Sequence, residues 1–151
     1  MSSTITVENS QLGKITVAES KIATFPEGLI GFENLKRFAI IDLEEFEPFQ
    51  WLLCIDDPEI TFPIISPILV IASYEPEISR EEAYILGDFK DKDLLLYTIV
   101  TIRPEINKVT ANLKGPLIID QKSRLGQQIV LQDDRYSTNQ EFMSVEEGKD
   151  A

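Results

Sequence analysis

The chain has 151 residues, 43% of them apolar, with 26 acidic and 14 basic residues and a formal charge of −12. This length fits one domain with a sizeable core; the acidity argues against binding nucleic acid or an anionic membrane surface. The single cysteine, Cys54, rules out an internal disulfide, and histidine is absent, which removes the commonest general base and the commonest metal ligand.

No apolar run reaches the roughly 20 residues needed to cross a bilayer. The first six residues have neither the basic region nor the apolar run of a secretion signal. A soluble, cytoplasmic protein without membrane contact is the expectation.

From the N-terminus, short runs rich in Ile, Val, Leu, Thr and aromatics predict strands over 14–17, 21–25, 38–43 and 49–55. Further runs predict strands over 68–74, 94–103, 109–113, 117–120 and 127–132. Alternation is clearest near 97–103, where Tyr97, Ile99, Thr101 and Arg103 face one way and Thr98, Val100 and Ile102 the other. Pro58, Pro63, Pro67, Pro76, Pro104 and Pro116 mark the edges of these runs. One short helix is predicted. Ser79 and Glu82 have capping-box spacing, Ala83 to Leu86 follow, and Gly87 stops the run. A second short turn covers 33–37. The predicted fold is mainly β: a small antiparallel β-barrel-like single domain with one short helix, spanning 1–145. The polar C-terminal tail, 146–151, is expected to fray.

Between Arg37 and Arg80 the chain has no Lys or Arg over 42 residues, but nine acidic residues. The same stretch contains Phe46, Phe49, Trp51 and Phe62. Charges in turns are often simply solvated, but a merely soluble surface intersperses both signs. A one-signed, partly apolar surface suits a basic protein partner. The candidate face comprises Glu44, Glu45, Glu47, Asp56, Asp57 and Glu59, with Phe49 as an apolar anchor. Trp51 belongs to the core or, at an exposed edge, would be a second anchor.

Little in the sequence points to catalysis. Gly28, Gly31 and Gly115 form no phosphate-cradling pattern, and no cofactor is expected. Asp56-Asp57 and Asp133-Asp134 each follow an apolar run and read as turns. The alternative is a carboxylate-based metal-binding β-domain or hydrolase built on one of these pairs. Cys54, between Leu53 and Ile55, reads as a buried thiol.

Three segments carry a resemblance: Phe25-Pro26-Glu27-Gly28-Leu29-Ile30-Gly31-Phe32, then Thr110-Ala111-Asn112-Leu113-Lys114-Gly115-Pro116-Leu117-Ile118-Ile119-Asp120, then Gly126-Gln127-Gln128-Ile129-Val130-Leu131. In this order, over about 15–136, they resemble the flagellar assembly factor FliW family. The chain departs from the usual family pattern at Ile30, Gly115 and Asp120, and after Tyr136 it lacks the basic or His residues common there. The resemblance implies a non-enzymatic β-barrel-like protein that binds the RNA-binding translational repressor CsrA and relieves repression of flagellin synthesis. It also implies binding of flagellin, which competes with the repressor in a partner switch. Within the matched segments, Gly28 and Gly31 permit tight turns, Phe25, Leu29 and Phe32 clamp them, and Asn112 and Gln128 can hydrogen-bond across the barrel. These positions are expected to be scaffold.

Overall fold

The computed structural model describes residues 3–145; the tail predicted over 146–151 lies outside the described residues. Two strands come first, β1 (Thr4–Asn9) and β2 (Gly13–Ala18), paired as an antiparallel hairpin. Nine more follow: β3 (Ile22–Thr24), β4 (Arg37–Ile41), β5 (Gln50–Cys54), β6 (Thr61–Ile65), β7 (Leu94–Arg103), β8 (Lys108–Ala111), β9 (Leu117–Asp120), β10 (Gly126–Gln128) and β11 (Gln140–Met143). All of their ladders are antiparallel, and the sheet runs in the order β10-β9-β7-β6-β5-β4-β3. β8 also pairs with β7, and β11 with β8.

β7 organises this sheet. Its first half, Leu94–Tyr97, pairs with β9, and its second half, Val100–Arg103, pairs with β8. β6 meets the middle of β7, at Thr98 and Ile99. The sheet does not close into a full barrel. Its two ends touch at one bridge, Thr24 with Leu125, where the Thr24 N–H donates to Arg124 O at 2.8 Å.

Strand alternation explains the layers. On β4 and β5, Phe38, Leu52 and Cys54 face the central core with Phe25, Leu29, Ile64, Leu117 and Ile119. Ala39, Ile41, Leu53 and Ile55 face outward and are covered by Ile5, Val7, Ile15 and Val17 of the β1–β2 hairpin. β9 is buried on both faces. Ile118 points into a second core with Tyr74, Leu86, Phe89, Leu113, Leu131 and Tyr136. Fully burying each such Leu, Ile or Phe stabilises by about 1.5–3 kcal/mol. Burial also pushes the Cys54 thiol up, consistent with the inert role read from its sequence setting.

Several expectations need correction. Residues 68–74 form no strand. Pro67 opens a 3-10 turn, Pro67–Leu69, where its fixed φ suits the first position, and Ile68 and Leu69 are exposed. The capping box forms as read: the Ser79 hydroxyl accepts the Glu82 N–H at 3.0 Å, and the Glu82 carboxylate accepts the Ser79 N–H at 3.2 Å. It starts no α-helix, only a turn and the 3-10 segment Tyr84–Leu86. The run read as a strand over 127–132 pairs only at 126–128. β1, β6 and β11 were not foreseen. Pro63 masked β6; β7 pairs only with Ile64 and Ile65, so Pro63 occupies the part of β6 with one partner strand.

Candidate functional site

The six carboxylates assigned to an acidic face fall into two groups at opposite ends of β5. Glu44, Glu45 and Glu47 belong to the β4–β5 connection, around the 3-10 turn Glu44–Phe46. Its Phe46 ring stands edge-on to Trp51 at 5.2 Å, which pins the turn. Asp56, Asp57 and Glu59 belong to the β5–β6 turn, closed by the Ile60 N–H donating to Asp57 O at 2.9 Å. Five strand residues separate the groups, roughly 17 Å at the strand rise.

The groups differ chemically. Among the described residues, Glu44, Glu45 and Glu47 are exposed and form no ion pair. In the other group, two carboxylates have structural work. Asp56 Oδ2 accepts the N–H groups of Lys36 and Arg37 at 3.0 Å each, and Oδ1 accepts Arg37 Nε at 2.9 Å. Burial pushes its carboxyl up, but the Lys36 and Arg37 donors outweigh that and hold it below the usual Asp range. Glu59 accepts from the Ser10 N–H and hydroxyl, tying the β1–β2 hairpin to the turn. Asp57 is exposed without an ion pair among the described residues. Phe49 is half-buried, with its ring 6.3 Å from Phe142 and against the apolar cluster of Ile65, Val100 and Val109. It belongs largely to packing. Trp51 is half-buried beside Ile41 and Leu53.

Asp133 also serves its own turn. It accepts the Arg135 N–H at 2.9 Å, and the Arg135 guanidinium holds its carboxyl below the usual range. Among the described residues, no cluster of three or more Asp, Glu or Cys is arranged to hold a metal ion. No helix among them is long and apolar enough to cross a membrane.

A second surface was not foreseen. The turn at 25–33 is folded by Gly28, whose φ is +67° and whose absent Cβ would lie 2.5 Å from Phe32 O. Leu29 is driven into the core, while Ile30 is left 60% exposed and Phe32 39%. Phe32 meets Phe62 edge-on at 5.1 Å. With Ile99, Thr101, Asn112, Gln128, Thr138 and Asn139 they line a groove of about 350 Å³. All three segments that carried the family resemblance meet here. Gln128 joins them: its Oε1 accepts the Ile30 N–H at 2.9 Å and its Nε2 donates to Gly115 O at 3.0 Å. Asn112 Oδ1 accepts the Gly115 N–H at 2.9 Å. The Asn112 and Gln128 side chains close tightly over Gly115, where a Cβ would lie 2.8 Å from Asn112 Nδ2 and would make that amide shift. Asn112 and Gln128 thus hydrogen-bond across this region as expected of scaffold, whereas Phe32, expected to clamp the turn, is exposed; together they shape an apolar groove with uncharged polar walls. Its lining comes from six separated stretches of chain, and so gives no local sequence signal.

The family model described as FliW protein matches residues 6–142. The chain belongs to the FliW family. It is 38% identical over 128 residues to the flagellar assembly factor FliW of Clostridium beijerinckii, covering 85% of this chain and 91% of that one. It is 35% identical over 131 residues to the flagellar assembly factor FliW of a Thermotoga species, strain RQ2, covering 86% and 88%. A crystal structure of the flagellar assembly factor FliW superposes with a TM-score of 0.83 at 29% identity, covering 92% of this chain and 97% of that one. The mainly β, single-domain architecture is thus the FliW fold.

Proposed function

We propose that this chain works as a non-enzymatic flagellar assembly factor through two separate surfaces, one electrostatic and one apolar. The first is the carboxylate group Glu44, Glu45 and Glu47, with Asp57 at the other end of β5. It receives the basic translational repressor CsrA. Unneutralised carboxylates speed encounter with a cationic protein and select against neutral ones. Once bound, they repel RNA phosphates near the repressor, which lowers its affinity for flagellin mRNA and relieves repression.

The second surface is the groove over Ile30, Phe32, Phe62 and Ile99, which receives flagellin. An amphipathic helix buries its apolar face in such a groove. Two partners then compete through the occupied state of one small protein, the switch that the family resemblance implies. The observation that carries this reading is the absence of cation partners at Glu44, Glu45 and Glu47 among the described residues, in contrast to Asp56.

The test is association with purified CsrA across a salt series, for the wild type and for a Glu44→Lys, Glu45→Lys, Glu47→Lys variant. The variant is expected to associate at least about tenfold more slowly at low salt and to lose salt dependence. Unchanged kinetics would remove the repressor from this surface. In parallel, Phe32→Asp is expected to abolish flagellin binding with repressor binding retained; intact flagellin binding would remove the groove assignment.

A further inference from the structure

The polar lining of the groove is uncharged: no Lys, Arg, Asp or Glu of the described residues lines it. Two of its amides, Asn112 and Gln128, have spent their acceptors. Asn112 Oδ1 takes the Gly115 N–H and Gln128 Oε1 the Ile30 N–H, both at 2.9 Å. Each of these bonds also fixes which end of the amide is nitrogen. What the amides keep is donors, since an amide nitrogen carries a pair of N–H groups. Gln128 Nε2 uses one of them, toward Gly115 O at 3.0 Å. Asn112 Nδ2 uses neither among the described residues. It is open to solvent, on a half-buried side chain that lines the groove. Both nitrogens stand over Gly115, where a Cβ would lie 2.8 Å from Asn112 Nδ2 and 3.1 Å from Gln128 Nε2.

An uncharged donor beside an apolar floor calls for a neutral acceptor. A partner's carboxylate would find no cation there, in a chain of net charge −12. A backbone carbonyl fits. An extended partner strand would need a row of free backbone groups to pair with, and those of the lining are engaged. The Phe32 N–H donates to Leu29 O at 2.8 Å, the Asn112 N–H to Ile99 O at 3.0 Å, and the Ile30 N–H to Gln128. A helix needs no such row. Its backbone is satisfied from within except at its ends, and the carbonyls of its last turn are left without partners. Those carbonyls also carry the negative end of the helix dipole, which an N–H donor complements. A helix lying the other way would bring N–H groups against an N–H donor, leaving both unpaired.

We propose that Asn112 sets the direction of the docked partner helix: its Nδ2 donates to a free carbonyl in that helix's last turn, while the apolar face of the helix covers Ile30, Phe32 and Phe62. The proposal rests on the reading of the groove as the seat of an amphipathic helix, and adds the polarity of that helix and the donor that fixes it. Gln128 is a positioning residue here. Its bonds to Ile30 and Gly115 hold the apolar wall and the Asn112 loop in one arrangement. The partner segment is thus an amphipathic helix that ends within the groove, with its C-terminal turn at Asn112.

The experiment measures flagellin binding to the full chain carrying Asn112→Asp. This change keeps Oδ1 for the Gly115 N–H and puts an acceptor where the donor was. Flagellin affinity is expected to fall at least about tenfold, at low and at high salt alike, with the thermal midpoint and CsrA binding retained. Wild-type affinity overturns the proposal, and so does a loss that vanishes at high salt, which would be charge repulsion only. The unaltered chain gives a second readout. With isotope-labelled chain and unlabelled flagellin, the Asn112 side-chain amide protons are expected to move downfield in NMR spectra, to exchange more slowly, and to show nuclear Overhauser contacts to the last turn of the bound helix. Unmoved amide protons, or contacts to the first turn, overturn the direction. Phe32→Asp reads the groove by itself: if it abolishes flagellin binding while Asn112→Asp does not, the direction fails and the groove stands.

Discussion

The ring of Phe25 lies so close to the backbone of Gly126 that a Cβ at 126 would meet Cε1 and Cζ at 2.5 Å. Phe25 is fully buried and directly follows Thr24, whose N–H donates to Arg124 O where the two ends of the sheet meet. Gly126 opens β10 at the other side of that contact. The missing side chain at 126 thus makes room for the ring that fills the core at the seam. Gly126→Ala is expected to destabilise by about 1–3 kcal/mol, the usual cost of overpacking. Denaturant unfolding measures it; an unchanged midpoint would mean that the ring shifts freely.

Asp56 is expected to act on stability and not on recognition. Its folded-state carboxyl is held below its ordinary value. The stability it contributes is therefore fully present above the ordinary Asp range, near pH 4, and is lost as pH falls below that toward the depressed folded-state value. Asp56→Asn is expected to cost about 1 kcal/mol at pH 7, allowing for solvent screening. It should also flatten the loss of stability below about pH 4. Thermal midpoints of both proteins across an acid series decide the matter, and parallel curves would refute the assignment.

The two ends of β5 are expected to respond unequally to charge reversal. Asp57→Lys alters an exposed carboxylate without an ion pair among the described residues, so it should slow association with the repressor and leave the midpoint unchanged. Glu59→Lys removes the bonds to Ser10 and should lower the midpoint as well. Paired calorimetry and association kinetics separate them; identical behaviour would show that the hairpin tie carries no stability.

Gln128→Leu keeps the side-chain volume but frees the Ile30 N–H and Gly115 O. The loss at Gly115, which is buried, is expected to cost about 1–3 kcal/mol. Flagellin affinity should fall further than stability accounts for, because Ile30 loses its fixed place on the groove wall. Binding measured well below the unfolding temperature tests this, and wild-type affinity would contradict it.

The β-rich run from Leu94 to Arg103, alternating from Tyr97 onward, made β7 legible to the residue, and the run from Leu117 to Asp120 likewise made β9. The first is long and the second nearly all apolar, so local composition and burial agree. Ile68 to Val70 have the same composition, but Pro67 bends them into a turn, an outcome set by backbone restriction. The capping box at Ser79 and Glu82 was read correctly as local chemistry, and yet tertiary packing of Ala83, Leu86 and Phe89 into the second core left it a turn. The acidic residues of the candidate face were visible in the sequence, but their partners were not: that Arg37 and Ser10 claim Asp56 and Glu59 follows only from strand pairing. The groove was invisible for the same reason, since Ile30, Phe62, Ile99, Asn112 and Gln128 become neighbours only after the sheet forms.

β7 is held along its length by three other strands, and it also forms the groove floor at Ile99 and Thr101. A ligand settling there presses on an anvil, not a cushion. Local opening draws on weakly held segments, and this strand is among the most firmly braced. Recognition on the proposed floor is therefore expected to proceed without refolding of the receptor, with little of the contact energy diverted into reshaping it.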